Sequence, residues 1–571
     1  MKDLSKRFLD RRISRRGFVS RLSGMGVAPA AAAGFARWLS APAAEGAQDA
    51  AGQGRIVQGL TGGELTAEFL LDWKVPYVFG LGGSEEVGFL DALVDRVGLQ
   101  YVQGLHEASV MAMADGYARA SGRTSFVNVH SVAGTAYALG QMVNAFKDRV
   151  PVVLTAGDQG TAVRGHNAFL EAIDLAQLPR EYARWHWSVL TAQTIPEVLR
   201  RAFLLARVPP GGPTFVTFAK DLWEERVERA EILPRARSEP GVELAPDPDA
   251  VARAAEALLA AQFPVIVAGR ELAQYGGSDQ LREIAELTGA AVFSDLFASH
   301  SPIAFPTSHP QYAGYFAEEE AFPKGFDLFW SLGGTMFGIM APVREPLVPR
   351  AAKVIHTSID GTEIGRNYPV DVAMLANVKL SAAAVLERLR RSGPSRAAVE
   401  QRRRRVLLHG EERRSRLEAQ AARAWSHRPI ASERLSKELD RRLDPDALVV
   451  TELISEEQLA CSYLALGGAG RRQLTTSGGC LGWGVAAAIG AKIAEPDRQV
   501  VALVGDGSFQ FGVQALWTAA RYEVPVAVVI WNNGAYQANR RYLHQYGRRA
   551  AETGKYIGCS LGSPEIDHVA I

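Results

Sequence analysis

Two hydrophobic periods alternate along the chain. Short, nearly unbroken apolar runs end in glycine, acid or amide residues, and longer stretches with apolar residues three and four apart follow them. The first kind predicts buried parallel strands and the second amphipathic helices. Over 62–227 the order begins with a helix at 65–73, a strand in VPYVFGLGG, a helix entered at Ser84-Glu85-Glu86 with Ser84 as N-cap, and a strand in LQYVQGL. A helix opened by His106-Glu107 and closed at Gly122 follows. Then come the strand TSFVNVHS ending at His130, the small-residue helix GTAYALGQMVNAFKDRV and the strand PVVLTAGDQ. Alternation of this kind predicts a doubly wound parallel sheet.

The pattern repeats twice more. A Pro-rich aperiodic segment at 234–250 leads to a second open α/β sheet over 249–391, with strands in PVIVAGR, AAVFSD, FDLFWSLGG, AAKVIHTSID and VDVAMLANV. Residues 392–434 are strongly basic around QRRRRVLLHGEERRSRLEAQAARAW. Interspersed Glu and missing aromatic interleaving read as a solvated linker helix, not a nucleic-acid patch. A third domain, 435–571, carries a strand with Glu452 at its exit, the glycine-rich turn and helix TTSGGCLGWGVAAAIGAKIAEP, the strand VVALVGDGS, the helix QALWTAARY and the strand PVAVVIWNNGAY. A last helix is expected from Glu565. The predicted fold class is α/β, with three doubly wound parallel-sheet domains.

Chemistry enters at the strand ends. In a parallel βαβ unit both strand ends lie at one sheet edge, so Asp506 and Asn533, 27 residues apart, become neighbours. A carboxylate and an amide oxygen beside glycine-exposed backbone suit Mg²⁺ that keeps part of its shell for a diphosphate. The alternative is a strand-turn-helix with Asp506 as N-cap.

Bulk charge changes little. Lys plus Arg number 63 against 62 for Asp plus Glu, a net +1 that gives no electrostatic case for nucleic acid. Cys461, Cys480 and Cys559 lack metal-type spacing. Residues 1–44 read as a label: a basic start, SRRGFVS, a mildly apolar run and Ala41-Pro42-Ala43. They resemble a twin-arginine export signal, with Arg15-Arg16 and Phe18 at the motif positions. This implies a periplasmic or exported protein, membrane-anchored if uncleaved and with no stable span after cleavage.

GDGS followed by NNGAY at this spacing resembles the diphosphate-binding signature of the thiamine-diphosphate (ThDP) enzymes. HEASVMAMADGYARASGR, NVHSVAGT and PVVLTAG are similar to the pyrimidine-binding domain of the benzoylformate-decarboxylase-like 2-oxo-acid decarboxylases in that family. The resemblance covers about 62–571. It implies that Glu107 hydrogen-bonds the cofactor's pyrimidine, that His130 and His309 relay protons near the substrate, and that Ser84 binds the substrate carboxylate. It further implies that Leu481 wedges under the cofactor, that Gly505, Asp506, Gly507 and Ser508 hold the diphosphate, and that Asp506, Asn533 and the Ala535 carbonyl ligate Mg²⁺. Taken alone, Glu107 reads as a first-turn acid and Leu481 as ordinary core. Apolar Leu105 and Val110 are expected to desolvate Glu107. Gly333-Gly334-Thr335 is weak evidence for a flavin, and FAD is not expected.

The implied activity is non-oxidative decarboxylation of a small 2-oxo acid by a homodimer or homotetramer with its sites between subunits. The rival readings are an acetolactate-synthase-like carboligase and a ThDP-binding protein left inactive by a short C-terminus, since relatives continue beyond the position of Ile571. Gln537, Asn539 and Tyr542 depart from the benzoylformate pattern and predict a more polar substrate pocket.

Overall fold

The computed structural model describes residues 15–25, 54–238, 241, 243–295, 301–316, 325–337 and 346–571. It divides into two units, Met1–Arg55 and Ile56–Ile571. In the first, Arg15–Gly24 form a helix that begins at the Arg15-Arg16 pair. Most of the expected apolar run and Ala41-Pro42-Ala43 lie outside the described residues. Among the described residues no helix is long and apolar enough to cross a membrane.

The second unit contains three parallel sheets. The first is built from β2 (Tyr77–Leu81), β3 (Gln100–Gln103), β4 (Ser125–Val129), β5 (Val152–Asp158), β6 (Trp185–Val189) and β7 (Thr214–Ala219), in the order β3-β2-β4-β5-β7-β6. A two-stranded sheet of β1 (Arg55–Thr61) and β8 (Arg226–Ile232) accompanies it. Strands β4, β5 and β7 are buried along their whole length, which is why their sequences are apolar without alternation. Helix α1 (Glu107–Ser121) starts on His106, whose Nδ1 accepts the Ala108 N–H, and ends on left-handed Gly122. Helix α2 (Ser131–Lys147) leaves β4 directly after His130.

The middle sheet runs β11-β10-β9-β12-β13-β14, from β9 (Pro264–Ala268), β10 (Ala291–Ser294), β11 (Tyr312–Tyr315), β12 (Leu328–Leu332), β13 (Lys353–Ser358) and β14 (Val372–Leu375). The basic stretch is one helix, α3 (Arg396–Ala424), but it is not solvated all round. Buried Arg402 donates to the Thr288 carbonyl at 3.1 Å and the Leu259 carbonyl at 3.0 Å, and Arg405 stacks 4.0 Å over Phe263. Arginine stems cover apolar surface while their guanidinium groups find carbonyls, so one face of a highly charged helix is bound to the middle domain.

The last sheet has the order β16-β15-β17-β18, from β15 (Leu448–Glu452), β16 (Arg472–Leu474), β17 (Val500–Gly505) and β18 (Ala527–Trp531). Helices α4 (Trp483–Ala494), α5 (Asp506–Gly512) and α6 (Gln537–Gln545) follow the glycine turn, β17 and β18 respectively. Two expectations fail locally. Ser84 does not cap a helix: that helix begins at Val87 with Glu86 at its N-cap. No helix forms over 565–571, where the chain makes only a turn.

The first and last domains share one apolar core through α1 and α4. A Cβ on Gly490 would lie 1.8 Å from the Met113 carbonyl oxygen, so the two backbones touch only because the residue is glycine. Trp483 is fully buried in this contact and donates its indole N–H to Asp115 at 2.8 Å. Burial of such a side chain contributes about 1.5–3 kcal/mol. All three domains then meet on Asp148, which accepts from Arg119 of the first domain at 2.8 Å, Arg270 of the middle domain at 3.0 Å and the Ser477 amide of the last domain at 3.1 Å. Burial pushes the Asp148 carboxyl up, but Arg270 and Arg119 outweigh it and hold the group down to about 2.

Candidate active site

Each outer sheet has a point where consecutive strands depart in opposite directions, and ligand crevices open there at the carboxyl ends. In the first sheet this point lies between β2 and β4. The loop after β2 carries Ser84, Glu85 and Glu86, and β4 delivers His130. The imidazole is held on both sides: Nδ1 lies 2.9 Å from Glu86 Oε2 and Nε2 lies 3.2 Å from Glu85 Oε2. Glu86 is fully buried and accepts the amides of Gly83 and Gly157, each at 2.7 Å. The ring fits only because position 83 has no side chain, since a Cβ there would lie 2.4 Å from Nδ1. Ser131, immediately after His130, adopts a left-handed φ of 48°, a strained conformation that turns the chain sharply from β4 into α2.

Ser84 donates its hydroxyl to Glu85 Oε2 at 2.7 Å. Glu107 begins α1 on the same sheet edge, beside the first turn of α2, and its Oε1 would lie 3.1 Å from a Cβ at Gly134. Among the described residues this carboxylate has no hydrogen-bond partner. Its expected apolar flank is one-sided: Val110 is buried, whereas Leu105 is 49% exposed.

The second crevice opens between β15 and β17. β17 ends at Gly505, which is the N-cap of α5, so Asp506 is the first helical residue and not the cap. Buried Asp506 accepts the Gly507 amide at 2.9 Å and, across the sheet edge, the Gly534 amide at 2.7 Å. Strand pairing places Gly505 opposite Trp531, so the Asn532-Asn533 turn lies beside the aspartate. Asn533 is exposed, and its side-chain oxygen accepts the Ala535 amide at 3.0 Å. The Ala535 carbonyl accepts from Gln537 at 2.9 Å and keeps its second lone pair. Ser508 is buried in the first turn of α5. One carboxylate, one amide oxygen and one carbonyl form a hard-oxygen set that fits Mg²⁺ with room for diphosphate oxygens. Among the described residues no group of three or more His, Cys, Asp or Glu forms a competing metal cluster.

Leu481 stands half-buried in the turn before α4 and belongs to no core cluster. Its carbonyl accepts from Gln141 of α2 at 2.9 Å, and the Cys480 carbonyl accepts from Asn144 at 2.8 Å. Behind this turn Glu452 is buried at the end of β15, where it accepts the amides of Trp483 at 3.2 Å and Gly484 at 2.9 Å. Burial raises its carboxyl to about 8 despite those amides. On α6, Asn539 and Tyr542 line a surface hollow of about 480 Å³.

Helix α2 touches Glu107 at Gly134 and the Leu481 turn at Gln141, seven residues on, or about 10 Å along the axis. His309 joins neither. Its Nε2 lies 3.2 Å from Glu286, its Nδ1 accepts the Gln311 amide at 3.2 Å, and its ring packs 5.0 Å from Phe305. Glu85, Glu86 and Gln159 of the first crevice escaped the sequence reading, although paired acids straight after a glycine turn at a strand end were the available signal.

This is an enzyme architecture in which two sheet edges, not one, contribute the chemistry. Three family models match the chain: the N-terminal TPP binding domain of thiamine pyrophosphate enzymes over 60–178, the central domain over 251–389 and the C-terminal TPP binding domain over 459–571. The chain is 32% identical over 467 residues to benzoylformate decarboxylase of Pseudomonas aeruginosa, covering 81% of this chain and 84% of that protein. It is 28% identical over 499 residues to acetolactate synthase isozyme 3 large subunit of Escherichia coli, covering 83% and 82%. The structure of the thiamine diphosphate-dependent 4-hydroxybenzoylformate decarboxylase of Rhodococcus jostii superposes with a TM-score of 0.73 at 29% identity, over 89% of this chain and 92% of that one. The chain belongs to the thiamine pyrophosphate enzyme family.

Proposed function

We propose that this chain is a ThDP- and Mg²⁺-dependent decarboxylase that converts a 2-oxo acid to CO₂ and an aldehyde, acting as a homodimer or a larger assembly of dimers. The observation that carries this reading is the pairing, on one sheet edge, of a carboxylate that has no hydrogen-bond partner among the described residues (Glu107) and an imidazole held at both nitrogens (His130). The benzoylformate decarboxylase relatives support the same reaction class.

Bound ThDP supplies the electron sink for the pair left behind when CO₂ departs. The chain's residues supply geometry and protons. Glu107 meets the pyrimidine ring, while Asp506, Asn533 and the Ala535 carbonyl hold Mg²⁺ and through it the diphosphate. His130 holds a proton for the carbon that has lost its carboxylate, so that one C–C bond breaks and one C–H bond forms. This reading completes each site with a second copy of the chain, one copy giving the first crevice and the other the second. Apolar residues exposed beside them, Leu105 at 49%, Tyr137 at 59% and Phe511 at 54%, support the same assembly.

The test is CO₂ release from a panel of aryl and aliphatic 2-oxo acids with Mg²⁺ and ThDP, with products analysed in the presence and absence of an acceptor aldehyde. Equal yields of CO₂ and aldehyde are expected. Ketol as the sole product would replace the decarboxylase by a carboligase. Calorimetric binding of Mg²⁺ and ThDP without turnover of any acid would leave a binding protein.

A further inference from the structure

Three side-chain donors converge on the Glu85 carboxylate. Oε2 lies 3.2 Å from His130 Nε2 and 2.7 Å from the Ser84 hydroxyl, and Oε1 lies 3.1 Å from Gln159 Nε2. The group is 5% exposed. Its neighbour Glu86 also touches the imidazole, but its other bonds go to backbone amides, so Glu86 shapes the loop. Among the described residues Glu85 holds only side chains, and one of them, His130, is the group proposed to protonate the substrate carbon.

We propose that Glu85 is a positioning residue that joins Ser84 and His130 into one hydrogen-bonded unit, fixing the imidazole through Nε2. This rests on the decarboxylase reading. A buried carboxylate with several donors is stable only while those bonds are made, so the three partners hold one another in place. The ring, restrained at both nitrogens, is then oriented before any substrate arrives.

Glu85→Gln, Glu85→Ala, Ser84→Ala and the double variant Glu85→Gln/Ser84→Ala test this in the full-length chain. Glu85→Gln should lower kcat about 10- to 100-fold while KM changes less than about threefold. Calorimetric affinity for Mg²⁺ and ThDP should stay unchanged, and the double variant should lose no more than Glu85→Gln alone. Multiplicative losses, a kcat within about twofold of the unaltered chain, or a fall in melting temperature with kcat intact would overturn the proposal. A second readout needs no turnover: with ¹⁵N-labelled histidine, and His130 assigned through His130→Gln, Glu85→Ala should shift the Nε2 resonance. An unshifted resonance refutes the coupling. If the unaltered chain consumes no 2-oxo acid, the decarboxylase reading fails, while the resonance still decides whether Glu85 holds the ring.

Discussion

The two crevices occupy equivalent places in their sheets but are built differently. In the first, Glu85, Glu86, Ser84, Gln159 and His130 saturate one another, and glycine at 83 makes room for the ring. In the last, the bonds of Asp506 and Asn533 among the described residues are to backbone amides, one of them across the sheet edge from Gly534 to Asp506, and Asn533 stands exposed. One crevice ties its proton-transfer groups to one another, and the other presents oxygens tied to backbone amides. The difference follows from the chemistry proposed for each. Proton transfer needs its groups within hydrogen-bond reach beforehand, whereas a cation orders its own ligands as it binds.

The largest expected effect comes from emptying the open crevice. Asp506→Ala should abolish calorimetric binding of Mg²⁺ with ThDP and lower turnover by about 10³-fold or more. The His130 ring resonances should not move, because the first crevice does not depend on the metal. Glu107→Gln should also be inactive while still binding Mg²⁺ and ThDP, though less tightly. If each site spans two chains, refolding or exchanging the two inactive variants together should restore about a quarter of full activity, because half the assemblies are mixed and each carries one intact site. A mixture that stays inactive would place both groups in the site of a single chain.

The closed crevice breaks more gently. Gly83→Ala puts a methyl group where the imidazole now lies, 2.4 Å from Nδ1. The ring must rotate or the loop must shift, at about 1–3 kcal/mol for overpacking. Turnover should fall about tenfold or more, with cofactor affinity unchanged. Loss of cofactor binding in this variant would show that the crevices are mechanically linked through α2 and not independent.

Much of this was legible in the sequence, for a physical reason. Strands such as SFVNV and VVALVG are buried on both faces, so they appear as unbroken apolar runs, and the residues at their carboxyl ends mark the crevices. His130 and Asp506 are recognisable because of where their strands stop. What stayed hidden was pairing across distance. The strand β11 is four residues inside a loop-like segment, and β16 is three residues at a sheet edge, too short for any period to register. The bond from Glu85 to His130 spans two strands, and GGSEEV shows paired acids at a strand end but not that both reach a histidine from another strand. The basic helix α3 misled because charge was equated with solvation, although Arg402 spends its guanidinium on buried carbonyls. Leu105 looked like a desolvating neighbour of Glu107 and is instead half exposed.

The smallest effect concerns a group behind the open crevice. Glu452 titrates at about 8 when folded, against an ordinary 4.5, because burial disfavours its charge more than the Gly484 and Trp483 amides favour it. Between those values the folded chain keeps a proton that the unfolded chain has released. Stability therefore declines as pH rises through this window, and the penalty is complete only above pH 8. Glu452→Gln keeps the acceptor toward the α4 amides and removes the ionisation. Melting temperatures of the two ligand-free proteins, measured from pH 5 to pH 8.5, should diverge by on the order of a few degrees, with the unaltered chain falling relative to the variant as pH rises. Parallel curves would mean that Glu452 is no more difficult to ionise in the fold than outside it.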